Sequence, residues 1–372
     1  MIKITSIAFI ILGIILLIQA LKPAYTISKR ELNGGWGWRS LIILINLFVL
    51  GYGVMATSLY QSIHSNVLDL VIATILLGGS VFVALVMKLG LHSINKIRDI
   101  TRQEHHNELL NERNNELLIR LPRAVAEKEF ELHYQPLINT QDNSVQGVEC
   151  LIRWPQSDGS AIATSDFIRL AEQSHVIVDI TRWVISTSLN QLGLWHAAGN
   201  TLTLQVNISA HDLEEKELVA YITTHLKNNK IEPHFLTLEI TENLIIRNQT
   251  ESFIILKQLR DLGVGISLDD FGTGYSSMTL LNRLPISQIK IDRSFVIGME
   301  HNSKRMSIVQ STLDLGKNIG LEVIAEGVEN TQQAQLLKQM NCTLIQGYYL
   351  AKPMSASKLE YWLIDQNNSH SI

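Results

Sequence analysis

The segment Ile266–Ser277 begins as an apolar run that ends in two adjacent carboxylates, Asp269 and Asp270, and continues as a glycine-containing loop. A strand with this ending places both carboxylates at one rim of a sheet or barrel, where α/β enzymes carry their active sites. Because like charges repel, the pair is costly to hold unless a cation neutralises it. Oxygen ligands of this kind suit Mg²⁺ or Mn²⁺. A solvated Asp-Asp turn is the alternative interpretation.

Seven consecutive strand-like runs carry an acid, an amide or a lysine, within the second run and at the ends of the others. In chain order these residues are Glu149, Asn207, Glu239, Asp269 with Asp270, Lys290 with Asp292, Glu326 and Gln346. This set of acids and amides, without an evident Ser-His pair, favours two oxygen-bound metal ions that share a bridging carboxylate. Such a centre performs in-line phosphoryl displacement, so the residues indicate metal-dependent phosphoester hydrolysis.

The elements that must position these residues begin near Phe130, where short β-rich runs alternate with helix-length amphipathic segments. The predicted strands are Phe130–Leu137, Val145–Trp154, Leu202–Asn207, Leu236–Ile240, Val264–Leu268, Gln288–Ile291, Leu321–Ala325 and Thr343–Gln346. Eight strands with intervening helices favour a TIM-type (β/α)8 barrel, and a doubly wound open sheet is the alternative fold. A closed barrel would bring the polar strand ends together around one rim.

Composition narrows the class of protein. The chain has 372 residues and a formal net charge of −4, which gives no general attraction to DNA or RNA. Its two cysteines, Cys150 and Cys342, lie far apart and predict neither a disulfide framework nor a zinc ribbon. The mean hydropathy of +0.13 is high for a soluble protein. The apolar excess lies in the first quarter of the chain.

That first quarter contains three uncharged apolar runs, Ile4–Leu21, Ser40–Leu59 and Leu70–Met87. Each is close to the ~20 residues that a helix needs to cross a bilayer. A cleaved signal peptide is the alternative for the first run, but two further runs follow it. Lysine and arginine are concentrated between the first two runs and after the third, which places the N-terminus outside and the rest of the chain in the cytoplasm.

The predicted organisation has four parts. Residues 1–91 form a membrane segment with three transmembrane helices, and residues 92–128 form a helical linker without a clean heptad pattern. The linker is either a signalling helix or a solvated spacer. Residues 129–365 form the catalytic domain, and residues 366–372 form a disordered tail.

About two thirds of the chain, Phe130–Leu363, resembles the EAL domain family of cyclic di-GMP phosphodiesterases. The segments that carry the resemblance are Tyr134–Pro136, Glu149–Trp154, Val206–Ser209, Glu239–Glu242, Asp269–Ser277, Lys290–Phe295, Ala325–Glu329, Gln346–Tyr348 and Lys352–Pro353. The resemblance implies a modified TIM barrel whose first strand is antiparallel to the others. It also implies a homodimer formed through the EAL domain, a location in the bacterial inner membrane, and the opening of cyclic di-GMP to linear pGpG.

The resemblance further implies roles for individual residues. Two Mg²⁺ or Mn²⁺ ions per site would be held by Glu149, Asn207, Glu239, Asp269, Asp270 and Glu326, with Asp269 as the bridge. Lys290, Glu326 and Gln346 would be the catalytic residues. Lys290 would hold and polarise the attacking water, and Gln346 would help to orient the water or a ligand. Gln135 and Arg153 would bind the guanine and a phosphate of the substrate. Glu242 would brace the loop after Asp270, and Asp292 and Glu329 would support the site.

The chain departs from the family pattern at three positions. Cys150 replaces the central alanine of the Glu-Ala-Leu signature, Thr164 replaces a common proline, and His175 replaces a common glycine. None of these positions is an inferred ligand, so an active phosphodiesterase is expected. A receptor that binds cyclic di-GMP without hydrolysing it and a membrane scaffold are the alternative functions.

Overall fold

The computed structural model describes residues 2–30, 36–61, 67–241, 249–272, 281 and 283–369. The chain divides into two compact units, residues 1–112 and residues 113–372. The predicted domain boundaries after residues 91 and 128 stay predictions.

The first unit is helical. Its helices are α1 (Ile2–Arg30), α2 (Trp36–Gln61) and the start of α3 (Val67–Ala126). All three helices are long and apolar enough to cross a membrane. Buried Tyr52 of α2 bonds through its hydroxyl to the Leu76 carbonyl and lies 2.5 Å from Ser80 Oγ of α3. Gly13 of α1 packs so closely on Tyr52 that an added Cβ would lie 2.6 Å from the ring.

The second unit is built on a closed ring of strands. Its strands are β1 (Glu131–Asn139), β2 (Val145–Pro155), β3 (Ala161–Ile162), β4 (Thr203–Asn207), β5 (Leu236–Thr241), β6 (Gly265–Phe271), β7 (Gln288–Ile291), β8 (Glu322–Ala325), β9 (Leu344–Ile345) and β10 (Met354–Ser355). In the described part of the chain, eight of these strands form the ring in the order β1-β9-β8-β7-β6-β5-β4-β2, closed by the pairing of β1 with β2. Short β3 and β10 extend β2 and β1.

The direction of the strands confirms the predicted variant of the barrel. Strand β1 is antiparallel to both of its ring neighbours, β2 and β9. The remaining ring pairs, from β2–β4 round to β8–β9, are parallel. The open-sheet alternative is therefore wrong, and the carboxyl ends of seven ring strands meet at one rim.

Helices cover the outside of the ring. They are α4 (Thr164–Gln173), α5 (Val176–Ala197), α6 (Leu218–Asn229), α7 (Gln249–Leu262), α8 (Arg293–Val296), α9 (Ser303–Ile319), α10 (Thr331–Gln339) and α11 (Ala356–Ser369). Strand alternation explains the two environments of the ring residues. On β4, Leu204 and Val206 face the helices in the main hydrophobic core, whereas Thr203, Gln205 and Asn207 face the barrel interior. The interior is thus largely polar.

Candidate active site

Lys290 is the centre of the carboxylate cluster inside the barrel. It stands on β7 and its side chain is completely buried. Its Nζ lies 2.5 Å from Glu326 Oε1 and 2.7 Å from Glu239 Oε1. The contact with Glu149 Oε2 is longer, at 3.4 Å. A buried ammonium ion surrounded by carboxylates is stable only because the opposite charges compensate for lost solvation.

Amide side chains hold Glu149 from the neighbouring strands. Asn207 Nδ2 donates to Glu149 Oε1 over 3.1 Å, and Gln346 Nε2 donates to Glu149 Oε2 over 2.8 Å. Gln346 Nε2 also lies 3.0 Å from Gln135 Oε1, and Gln135 Nε2 donates to the Ala351 carbonyl. Gln135 pairs with Glu149 across the β1–β2 ladder. Residues from β1, β2, β4 and the end of β9 therefore form one hydrogen-bonded group.

The two adjacent carboxylates lie at a distortion of the sheet. The pairing of β6 with β7 shifts register between Leu268 and Phe271, so Asp269 and Asp270 stand outside that ladder. Asp270 has a φ of 55°, in the left-handed region that Asp tolerates better than most residues. The Asp270 backbone N–H donates to Asp269 Oδ1 over 2.9 Å. Burial and the charges of Asp269 and Asp292 raise the pKa of Asp270 to about 6.

The pKa values of the clustered glutamates are shifted in different directions. Burial opposes ionisation of Glu149, but Lys290 and the amides of Gln346 and Asn207 hold its pKa below the usual range. At Glu326, burial raises the pKa more than the charge of Lys290 lowers it. Together with repulsion from Asp269 and Glu149, burial brings the pKa of Glu326 to about 8. Burial also raises the pKa of Glu239 well above its ordinary value. The surrounding carboxylates raise the pKa of Lys290 despite its burial.

This chemistry fits divalent metal ions. The clustered side chains offer hard oxygen atoms, and their raised pKa values come from burial and mutual repulsion, which a bound cation would relieve. Among the described residues, however, no three Asp, Glu, His or Cys side chains already surround one point at metal-ligand spacing. The position among Glu149, Glu239 and Glu326 that a cation would take is occupied by the ammonium group of Lys290.

The other predicted site residues lie in different surroundings. Arg153 Nη1 donates to the Ile152 carbonyl over 2.8 Å and lies 3.4 Å from Thr164 Oγ1. The Asp292 carboxylate caps α8 by accepting from the Ser294 N–H. Glu329 is exposed, and its backbone N–H donates to Gln333. Glu242, together with the loop residues 273–280, lies outside the described residues.

A cavity of about 580 Å³ opens beside this cluster. Glu149, Asn207 and Thr241 line it on the barrel side, and apolar residues of α4 and α5, including Ile168 and Ile180, line the opposite side. Thr164, one of the departures from the family pattern, also contributes to its wall. The arrangement is a partly apolar recess next to a charged site, which is typical of small-molecule binding sites.

Three interior residues were missed by the sequence prediction. Gln205, Ser267 and Gln288 are buried in the barrel below the cluster. Each stands two positions before a predicted site residue, Asn207, Asp269 or Lys290, and therefore faces the same side of its strand. The two-residue period of the strands was the signal that could have identified them.

The comparisons with known proteins agree with this geometry. A family model described as the EAL domain matches residues 119–353. The bifunctional diguanylate cyclase/cyclic di-GMP phosphodiesterase MucR of Pseudomonas aeruginosa is 39% identical over 245 residues, which cover 66% of this chain and 36% of MucR. The cyclic di-GMP phosphodiesterase NbdA of the same organism is 36% identical over 244 residues, which cover 65% of this chain and 31% of NbdA. The chain thus spans about a third of the length of these curated relatives.

A solved structure extends the likeness to the fold. The structure described as the PaMucR phosphodiesterase in complex with c-di-GMP has a TM-score of 0.63 and 39% sequence identity. It covers 66% of this chain, and the match covers 99% of that chain.

Proposed function

The chain belongs to the EAL domain family, and we propose that it is a membrane-anchored phosphodiesterase that hydrolyses cyclic di-GMP to linear pGpG. The observation that carries the proposal is the convergence of Lys290 with Glu149, Glu239 and Glu326 inside the rim of the barrel. The named phosphodiesterases among its relatives and the c-di-GMP complex of PaMucR support the choice of substrate.

The residues of the site have distinct tasks in this reaction. Lys290 holds the water that attacks the phosphorus, because a buried ammonium group offers directed N–H donors and positive charge. Gln346 donates to Glu149 and fixes the direction of that carboxylate. Arg153 binds a phosphate of the substrate, and Gln135 lines the side of the site that receives the guanine.

Two Mg²⁺ or Mn²⁺ ions would be held by Glu149, Asn207, Glu239, Asp269, Asp270 and Glu326. When bound, these ions stabilise the charge that develops on the attacking and leaving oxygens. Asp292 and Glu329 support the site, and Glu242 braces the loop that follows Asp270.

The three apolar helices support a location in the bacterial inner membrane, with the N-terminus periplasmic and the catalytic barrel cytoplasmic. Homodimerisation through the EAL domain is part of the proposal. The loop Phe271–Ser277, which in the family connects the dimer interface with the active site, lies mainly outside the described residues.

The test uses the full-length protein in detergent with cyclic di-GMP and Mg²⁺ or Mn²⁺, and follows pGpG by chromatography. We expect metal-dependent product from the wild type and none above background from Glu149→Gln, which keeps the shape but removes the charge of a ligand. Tight binding of cyclic di-GMP without product would instead make the protein a receptor. Neither binding nor product would favour a scaffold.

A further inference from the structure

A chain of hydrogen bonds crosses the barrel below the carboxylate cluster. Gln205 on β4 donates through Nε2 to Gln288 Oε1 on β7 over 2.7 Å. Gln288 in turn donates through Nε2 to Glu322 Oε2 over 2.7 Å. Strands β5 and β6 separate β4 from β7 in the ring. The bond between the two amides therefore spans the interior rather than following the wall.

The carboxylate at the end of this chain sets the direction of both amides. An ionised carboxylate only accepts hydrogen bonds, so Gln288 must present its NH₂ group to Glu322. Gln288 then presents its oxygen to Gln205, which must donate with its own NH₂ group. Gln205 Oε1 is thus left as an acceptor. It is buried and has no hydrogen-bond partner among the described residues.

Two more buried polar atoms belong to the same region. Ser267 is completely buried and Glu239 is 1% exposed. Within the described part of the chain, neither Ser267 Oγ nor Glu239 Oε2 has a hydrogen-bond partner. Ser267 is opposite Glu239 in the β5–β6 ladder and opposite Gln288 in the β6–β7 ladder. Strand alternation turns all of these side chains into the barrel, so the Gln205 amide meets Gln288 beside Ser267.

The three atoms have the hydrogen-bonding capacity that complements one water molecule. Gln205 Oε1 and Glu239 Oε2 are oxygens that can accept a hydrogen bond, whereas the Ser267 hydroxyl can donate or accept. A water donates two hydrogen bonds and accepts up to two, and buried waters typically make about three bonds to such groups. We propose that one buried water bridges Gln205 Oε1, Ser267 Oγ and Glu239 Oε2.

The amide end of the proposed bridge borders a polar cavity. A polar cavity of about 340 Å³ lies at the amino end of the strands, and Gln205, Gln288 and Glu322 all line it. Leaving three buried polar atoms unpaired would be expensive, since each would lose its hydration without replacement. A bridging water removes this penalty at all three atoms.

The bridge gives Ser267 and Gln205 a positioning role, and this part of the inference rests on the proposed function. Glu239 Oε1 lies 2.7 Å from Lys290 in the cluster. The water holds the second oxygen from below, so the carboxylate cannot rotate freely about its terminal bond. A group fixed in this way is preorganised for the reaction. The Ser267 side chain itself does not contact the substrate.

The first test is a crystal structure of the full-length protein at a resolution that shows ordered waters. We expect density for one water within about 2.6–3.2 Å of the three named atoms. A structure without that water, or with Glu239 bonded directly to Gln205, overturns the inference. This result does not depend on whether the protein hydrolyses cyclic di-GMP.

The second test compares Ser267→Thr with Ser267→Val, two side chains of nearly the same shape that differ in the hydroxyl group. We expect Ser267→Thr to keep the water and kcat within about threefold of wild type. Ser267→Val should lose about tenfold in kcat with KM nearly unchanged, because the bridging water loses one of its three partners and no longer fixes the Glu239 side chain. Equal kcat values for the two variants would overturn the positioning role.

Two further proteins make this comparison decisive. If the extra methyl groups prevent folding, as monitored by thermal unfolding, Ser267→Ala replaces the pair and should show the same tenfold loss against wild type. Ser188→Ala is the matched control, because the buried Ser188 hydroxyl bonds within its own helix to the Val184 carbonyl. It should stay within twofold of wild type. If the wild type itself forms no pGpG, the proposed function fails while the crystal structure still decides on the water.

Discussion

The two ends of the barrel interior solve the burial of polar groups in different ways. At the carboxyl end, ionisable groups surround one buried lysine, with Nζ–Oε distances of 2.5–3.4 Å. At the amino end, neutral amides pass a hydrogen bond across the barrel to a single carboxylate, Glu322, which is exposed. Neutral amides are satisfied by hydrogen bonds alone, whereas buried charges also need opposite charges. The barrel therefore confines its costly buried charges to one end.

Replacing the central lysine should have the largest effect. Lys290→Met leaves three clustered glutamates without their cation, so we expect at least about 10³-fold loss of pGpG formation and about 3–5 kcal/mol lower stability. Chromatographic assays and urea unfolding measure the two effects. Lys317→Met, on an exposed lysine of α9, is the control. A Lys290→Met protein as active as that control would remove the basis for the comparison.

The second-largest effect should be a pH dependence of stability that arises at the charged end of the barrel alone. The folded-state pKa of Glu326 is raised to about 8 from an ordinary value of 4.5. A raised folded-state pKa stabilises the protein at low pH, and this stabilisation is lost as pH rises through about 8. With a chelator present, the wild-type Tm should therefore fall between pH 5 and 8.5, and Glu326→Gln should flatten the fall. The control Asp314→Asn, at an exposed carboxylate, should leave the change of Tm with pH as in the wild type. If Tm still falls as steeply with pH in Glu326→Gln, ionisation of Glu326 is not the cause.

The third prediction concerns Arg153, at the rim of the charged end, where substrate is expected to bind. Arg153→Ala should raise KM for cyclic di-GMP by about 10–100-fold with a smaller change in kcat, because a bidentate phosphate contact is lost. Arg153→Lys should recover only part of the loss, since an ammonium group lacks the guanidinium fork. Steady-state kinetics measures both, with Arg169→Ala, at an exposed arginine of α4, as control. An unaltered KM would exclude Arg153 from phosphate binding.

The smallest loss of stability and turnover is expected from a substitution at the neutral end of the barrel. Gln288→Met breaks the amide chain and leaves Gln205 and Glu322 without their partner, which should lower stability by about 1–3 kcal/mol. Because no ion pair of the cluster is removed, turnover should fall by less than tenfold. Urea unfolding beside exposed Gln258→Met measures the difference. A loss of turnover as large as that of Lys290→Met would show that the two ends do not act separately.

The barrel fold was largely predictable from the sequence, because its strands and helices alternate at regular intervals. The predicted strand Gln288–Ile291 agrees with β7 at both ends, and the others differ at their ends by up to three residues. The position of Lys290 followed from its place on a short apolar run. The bulge at Asp269 and Asp270 was not predictable, because register depends on the neighbouring strand. The amide chain was missed for a similar reason: Gln205 and Gln288 meet only across the closed ring.

The antiparallel first strand has a consequence for how the protein folds. Strands β1 and β2 are joined by a short connection and pair over eight positions, so this hairpin can form as soon as both strands are synthesised. The other edge of β1 must wait for β9, because Ile138 pairs with Ile345 more than 200 residues later. Gln346 follows that last ring strand and bonds to Glu149 on the second. A nascent chain therefore cannot complete its active site before nearly the whole barrel has emerged from the ribosome.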